Sequence, residues 1–123
     1  MIDFKRLILS FKYAFGGVGY AFVHNQNLRI HFFVAFAVVI ASFYFNVSDI
    51  EKWILGFTIL LALCSEMINT SIEEMIDLIT IEHRKEAKAA KDVGAGMVLV
   101  SSTGALIVGI IIFIPYILKM FGI

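Results

Sequence analysis

The longest uncharged run in the chain, Val93–Leu118, limits the folds available to it. It has 26 residues and no charged side chain, whereas an α-helix needs roughly 17–25 apolar residues to cross a bilayer. Further apolar segments at about 28–47 and 51–79 predict two more spans, and the last span extends over about 91–120. Of the 123 residues, 60% are hydrophobic and 16% are charged, against about 45–50% and about 25% in soluble domains. We therefore predict an all-α membrane protein with three transmembrane helices, in a single domain over 1–123.

The N-terminal segment, at about 3–22, has a different pattern. It mixes basic residues with large apolar ones, which is typical of an amphipathic helix lying on a membrane surface with its basic side toward anionic headgroups. Gly16, Gly17 and Gly19 predict a break or bend in this surface helix. No basic stripe alternates with aromatic residues, so nucleic acid is not an expected partner.

Basic residues are distributed unevenly between the two sides that three spans create. Eight of the ten lie in the N-terminal arm, at the start of the first span or in the loop 81–91. They are Lys5, Arg6, Lys12, Arg29, Arg84, Lys85, Lys88 and Lys91. By the positive-inside rule, the N-terminus and this loop face the cytoplasm. Trp53 then marks the outer interface.

Polar residues interrupt the apolar pattern in the second half of the second span. Glu66, Asn69, Glu73 and Asp77 share one stripe of that helix, because residues advance by about 100° each. At a rise of about 1.5 Å per residue, Glu66 lies roughly 20 Å below Trp53, in the inner leaflet, and Glu73 roughly 30 Å below it, at the cytoplasmic surface. An ionisable residue at membrane depth is a functional-site hypothesis by default.

The chemistry of this stripe leaves three interpretations open. Carboxylates alone favour a proton- or cation-conducting oligomer that uses Glu66. Carboxylates beside basic residues favour a ligand that carries both phosphate and a metal ion. Glu73 could then bind Mg²⁺, and Lys91 and Arg84 could neutralise phosphates. Glu66 could act as a general base. Salt bridges that only tie helix ends together would instead indicate a non-catalytic membrane subunit. The three spans enclose a polar stripe poorly, so self-association is expected.

Four segments carry a resemblance to a known family. They are RLILSFKYAFGGVGYAF at 6–22, NLRIH at 27–31, EMINTSIEEMID at 66–77 and AAKDVGAGMVLV at 89–100. In these segments the chain resembles the prokaryotic diacylglycerol kinase and undecaprenol kinase family of small integral-membrane lipid kinases. The resemblance implies a homotrimer in the bacterial inner membrane with composite active sites at the cytoplasmic interface. It also implies transfer of the γ-phosphate of MgATP, the co-substrate with its Mg²⁺ cofactor, to a membrane lipid alcohol. The aromatic-rich arm and NLRIH are closer to the undecaprenol-type members.

The resemblance implies roles for individual residues. Glu66 corresponds to the catalytic base, with Asn69 as its polar neighbour, and Glu73 corresponds to a metal-coordinating carboxylate. The positions that match ATP contacts are Arg6, Tyr13, Glu73, Glu82, His83, Arg84, Lys91 and Asp92. The positions that match lipid-substrate contacts are Phe15, Arg29, Lys52, Glu66 and Ala95.

One position departs from the family pattern. The family places a second metal-binding Glu four residues before the basic residue that is Arg29 here, and this chain has Asn25 at that place. An amide oxygen can bind Mg²⁺ but brings no charge. We therefore expect Asn25 to join Glu73 as a metal ligand with weaker metal binding and a higher Mg²⁺ requirement.

Overall fold

Four α-helices and no strand make up the computed structural model, which describes all residues from 1 to 123. The helices are α1 (Phe4–His24), α2 (Gln26–Tyr44), α3 (Asp49–Ile79) and α4 (Lys85–Met120). Three of them, α2, α3 and α4, are long and apolar enough to cross a membrane. The predicted fold class, an all-α protein with three spans and an additional N-terminal helix, is confirmed.

One detail of the helices corrects the sequence-based expectation, and a second extends it. Helix α1 runs without a break through Gly16, Gly17 and Gly19, and beyond the adjacent residues and the helix's own backbone no atom lies within 4 Å of where a Cβ would be at any of them. These glycines are therefore ordinary helical positions on an open face. Helix α4 begins at Lys85, so the span predicted at about 91–120 lies within a longer helix whose first turns are charged and mostly exposed.

A polar turn connects α2 to α3 at one end of the bundle. Asn46 has φ 49°, a left-handed conformation that asparagine tolerates better than most residues. Ser48 and Glu51 form a capping box: Ser48 Oγ accepts from Glu51 N at 3.3 Å, and Glu51 Oε2 accepts from Ser48 N at 2.8 Å. The hydroxyl of Tyr116 also donates to Glu51 Oε2 at 2.5 Å, which ties α4 to the start of α3.

The buried residues change character along α3, the helix that contacts all three others. The end near the α2–α3 turn has a small apolar core of Val47, Leu55 and Ile112. Toward the opposite end, the buried residues of α3 are Ser65, Glu66, Asn69 and Thr70. Large apolar side chains on the outside of α2 and α4 remain exposed, as expected of helices that face lipid. The polar layer at 65–70 is therefore the unusual feature of the interior.

The C-terminal end of α1 is attached to both α2 and α3 near this polar layer. The hydroxyl of Tyr20 donates to Glu74 Oε1 at 3.1 Å, and this hydrogen bond, followed by the charge of Glu74, raises the pKa of Tyr20 above its ordinary value. Arg29 Nη1 donates to the carbonyl oxygens of Val23 at 2.6 Å and Phe22 at 3.2 Å. A cation at the last carbonyls of a helix is favourable. The joint between α1 and α2 is thus fixed against α3.

Candidate functional site

A polar cleft of about 210 Å³ opens where the α1–α2 joint meets α3, and none of its nine lining residues is hydrophobic. Hydrogen bonds join Asn25, Glu66 and Thr70 to one another and Asn69 to Glu73. Glu66 is 1% exposed and Asn69 is 5% exposed, whereas Glu73 is half-buried. The cleft therefore joins a fully buried carboxylate to a partly exposed one on the same helix, and Asn25 reaches the buried one, Glu66.

The carboxylate of Glu66 is held by one oxygen only. Its Oε1 accepts from Asn25 Nδ2 at 2.8 Å, and its Oε2 is buried with no hydrogen-bond partner. Thr70 Oγ1 donates to the main-chain oxygen of Glu66 at 2.9 Å. Leaving a polar atom buried and unpaired costs about 1–3 kcal/mol, and more for a charged group. An unpaired carboxylate oxygen at this depth is typical of a functional position.

Asn69 links Glu73 to helix α4. Its Nδ2 donates to Glu73 Oε1 at 3.0 Å, and its Oδ1 is buried without a partner. A Cβ at position 94 would lie 2.3 Å from that Oδ1, so the absence of a side chain at Gly94 makes room for the amide. Neither Gly94 nor Thr70 was among the predicted site residues. A glycine inside a helix, next to the A-K-D segment, was the available signal for the first of them.

We expect Gly94→Ala to destabilise the protein and to displace Asn69. Overpacking of this kind typically costs about 1–3 kcal/mol, so the thermal unfolding midpoint in detergent should fall by several degrees. The matched control is Gly96→Ala on the same helix, where no atom beyond the adjacent residues and the helix's own backbone lies within 4 Å of the added Cβ. That variant should be neutral or slightly more stable, because alanine is favoured over glycine in helices by about 0.5–1 kcal/mol. Equal midpoints for the two variants would contradict the close approach of α3 and α4.

A second cleft, of about 510 Å³, lies at the loop between α3 and α4. Five predicted ATP-contacting residues line it: Glu82, His83, Arg84, Lys91 and Asp92. Lys91 Nζ lies 2.6 Å from Asp77 Oδ1, and Arg84 Nη2 lies 3.0 Å from Glu82 Oε2. These pairs are solvent-accessible and therefore weak. Lys91 and Arg84 can therefore leave these carboxylates and bind phosphate oxygens instead.

Several other predicted site residues do not line the polar cleft around Glu66 in the single chain. They are Arg6, Tyr13 and Phe15, exposed on α1, and Ala95, exposed on α4. Lys52 is on α3 but fourteen residues before Glu66, roughly 21 Å away at the helical rise. It pairs instead with Asp49, at 3.2 Å. Arg29 is nearer the cleft, with its Nη1 on the α1 carbonyls.

The sequence pattern described as prokaryotic diacylglycerol kinase matches residues 12–113 of this chain. The chain belongs to that family. It is 38% identical over 115 residues to a diacylglycerol kinase of Synechocystis sp., across 93% of this chain and 66% of that longer protein. It is 38% identical over 114 residues to an undecaprenol kinase of Bacillus subtilis, across 92% of each chain. It is also 26% identical over 119 residues to a diacylglycerol kinase of Escherichia coli, across 97% and 94% of the two chains.

Family membership confirms the predicted resemblance and the predicted activity class, an ATP-dependent membrane lipid kinase. It does not favour the ion-conducting oligomer or the non-catalytic subunit that the stripe on α3 left open. The diacylglycerol kinase of Synechocystis sp. and the undecaprenol kinase of Bacillus subtilis have the same sequence identity to this chain, 38%. The lipid alcohol therefore needs a direct test.

The oxygens of the polar cleft suit a magnesium ion that arrives with a nucleotide. No three His, Cys, Asp or Glu side chains lie close enough together to hold a metal by themselves. Mg²⁺, however, commonly takes one or two carboxylates together with phosphate oxygens and water. Glu73 provides a partly exposed carboxylate, which accepts from Asn69 Nδ2 at 3.0 Å through Oε1 and keeps further lone pairs for an ion. Hard oxygen donors of this type fit the ion.

Proposed function

We propose that this chain transfers the γ-phosphoryl group of MgATP to the hydroxyl of a membrane lipid alcohol, either diacylglycerol or undecaprenol, in the bacterial inner membrane. The observation that carries the proposal is the buried carboxylate of Glu66, with one oxygen held and the other free, in a member of a lipid kinase family. A carboxylate held in this way at membrane depth can meet a lipid hydroxyl without exposure to bulk water.

The proposed orientation places the N-terminus, both clefts and the active site on the cytoplasmic side. Eight of the ten Lys and Arg residues belong to that side, which agrees with the positive-inside rule. ATP is cytoplasmic, and the basic loop cleft lies at the same end of the bundle as the α1–α2 joint. This arrangement supports a reaction at the inner membrane surface.

Glu66 serves as the general base in this proposal. The lipid hydroxyl oxygen attacks the γ-phosphorus while its proton passes to Glu66 Oε2, the oxygen without a partner. The new bond joins the lipid oxygen to phosphorus, the bond from phosphorus to the β,γ-bridging oxygen breaks, and ADP leaves. Proton removal by a positioned side chain contributes typically about 10²–10⁴-fold to a rate. Asn69 holds the adjacent turn of α3 by its bond to Glu73.

Glu73 and the loop cleft serve the nucleotide. Glu73 lies seven residues beyond Glu66, roughly 10 Å toward the loop at the helical rise, and would hold Mg²⁺. When bound, the ion neutralises charge on the phosphate oxygens. Lys91 and Arg84 bind phosphate oxygens by charge-assisted hydrogen bonds. The separation of the two carboxylates along α3 spaces the lipid from the nucleotide.

The proposal includes a homotrimer with composite sites. A single chain leaves Arg6 and Tyr13 on α1 away from the loop cleft, so a neighbouring subunit would complete the nucleotide contacts. An apolar groove of about 440 Å³ between α2, α3 and α4 is also left open by one chain. Both observations support self-association, because a second copy would cover the groove and bring the α1 side chains to the loop cleft.

The decisive experiment uses the purified protein in lipid vesicles with γ-labelled ATP and Mg²⁺. Diacylglycerol and undecaprenol are supplied in separate reactions. Labelled phosphatidate or labelled undecaprenyl phosphate is expected, and the product identifies the lipid alcohol. Failure to label either lipid, together with ion flux that Glu66→Gln abolishes, would replace the kinase proposal with the ion-conducting one.

A further inference from the structure

Asn25, the residue between α1 and α2, makes side-chain hydrogen bonds to α3 that the family resemblance does not explain. It is both the C-cap of α1 and the N-cap of α2. We infer that Asn25 is a positioning residue for the carboxylate of Glu66 and not a magnesium ligand. This inference rests on the proposed function of Glu66 as the base.

Every polar atom of the Asn25 side chain is engaged in the protein. Its Oδ1 accepts from Leu28 N at 3.1 Å, which is the N-cap bond of α2. Its Nδ2 donates to Glu66 Oε1 at 2.8 Å and to Thr70 Oγ1 at 2.6 Å. The amide has two hydrogens, so both are used.

The neighbours of Asn25 determine which way its amide points. Leu28 N–H can only donate, and an ionised Glu66 can only accept. Thr70 uses its hydroxyl hydrogen on the main-chain oxygen of Glu66 at 2.9 Å, so its oxygen accepts from Asn25. A flipped amide would set its oxygen against the carboxylate and its NH₂ group against Leu28 N–H. Three independent partners therefore assign the NH₂ group to the Glu66 side.

This orientation is unfavourable for a metal ion at Asn25. A cation between Asn25 and Glu66 would face amide hydrogens. A cation on the second lone pair of Oδ1 would lie at the N-terminus of α2, where the helix dipole disfavours positive charge. A Glu at this position, as the family pattern has it, would instead set a second carboxylate beside Glu66, and a cation between them would offset their repulsion. With Asn25, a neutral donor satisfies Glu66 Oε1 without a metal.

The consequence for the reaction is a fixed base. Since Asn25 holds Oε1, the carboxylate of Glu66 has one free oxygen, Oε2, and this is the atom to which the lipid proton is transferred. Without Asn25, the buried carboxylate would lose its only side-chain partner and could rotate between the two oxygens. The contribution of Asn25 is therefore to kcat and not to the binding of MgATP.

The test compares Asn25→Asp with Asn25→Ser in the full-length protein in lipid vesicles. Both variants keep an oxygen that can cap α2, both remove the amide donors, and only the first adds a charge. For a positioning residue, kcat should fall by about tenfold to a hundredfold in both, since a hydrogen bond to a charged group is lost, while KM for MgATP stays the same. Asn46→Asp, the same change in the turn at the other end of α2, controls for added charge and should keep wild-type kcat.

Metal affinity separates the two roles independently of turnover. The probe is Mn²⁺ with a non-hydrolysable ATP analogue, measured by electron paramagnetic resonance. A positioning residue leaves the Mn²⁺ affinity unchanged in Asn25→Ser, whereas Asn25→Asp adds a carboxylate that can attract the ion whichever role Asn25 has. A metal ligand would lower the affinity in Asn25→Ser, and that loss, or wild-type kcat in Asn25→Ser, overturns the inference.

A double variant checks that Asn25 acts through Glu66. In a Glu66→Gln background, Asn25→Ser should cause no further fall in kcat, because the two residues act as one unit. A full additional loss would contradict the coupling. An active wild type with unaffected Asn25 variants overturns only this inference, whereas a wild type that phosphorylates no lipid overturns the proposed function with it.

Discussion

Glu66→Gln is expected to lower kcat for lipid phosphorylation by about 10²–10⁴-fold, the usual contribution of a general base. Glutamine has nearly the shape of glutamate and keeps an oxygen that can accept from Asn25 Nδ2, the bond now made by Glu66 Oε1. It removes the lone pairs and the charge that take the proton. The fold and the MgATP affinity should therefore persist while turnover is lost, and labelled lipid product per unit time measures the effect.

The matched control is Glu86→Gln. Glu86 is an exposed carboxylate in the first turn of α4, outside both clefts, so its loss should leave kcat unchanged. Thermal unfolding midpoints of both variants show whether the proteins remain folded. A Glu66→Gln protein that is folded and turns over at the wild-type rate would remove Glu66 from the role of base.

The helical architecture was predictable because lipid imposes a simple length requirement on each span. The predicted segment at 51–79 ends at the same residue as α3, Asp49–Ile79. The charged loop that follows marks this end in the sequence. The uninterrupted path of α1 through its glycines was not predictable from composition. Each glycine costs at most about 1 kcal/mol in a helix, and the bonds that attach α1 to its neighbours are made by residues far along the chain.

The stripe on α3 was predictable, but its partners on other helices were not. Glu66, Asn69 and Glu73 share a face by helical geometry alone, and the bond from Asn69 to Glu73 spans one turn. The bond from Asn25 to Glu66 joins residues 41 positions apart. The contact between Gly94 and Asn69 likewise depends on how closely α3 and α4 pack. Periodicity describes one helix at a time and contains no information on such distances.

Glu73→Gln is expected to weaken metal binding more than any other single change in the polar cleft. The amide keeps an oxygen that can accept from Asn69 Nδ2, as Glu73 Oε1 does at 3.0 Å, so the local packing should persist. What is lost is one negative charge beside the proposed Mg²⁺ position. A unit charge pair at about 4 Å contributes about 1–4 kcal/mol near a protein surface, and about 1.4 kcal/mol corresponds to tenfold. The Mg²⁺ concentration for half-maximal activity should therefore rise by at least about fivefold.

The neighbouring carboxylate supplies the control for this experiment. Glu74 is exposed and accepts from the hydroxyl of Tyr20 at 3.1 Å, so Glu74→Gln should weaken the attachment of α1 but leave Mn²⁺ affinity unchanged in the presence of an ATP analogue. Raising Mg²⁺ should restore turnover in Glu73→Gln and should not restore it in Glu66→Gln, because only the first variant lacks a group that binds the ion. If excess Mg²⁺ rescues both variants or neither, the two carboxylates of α3 do not divide the reaction into a lipid end and a nucleotide end.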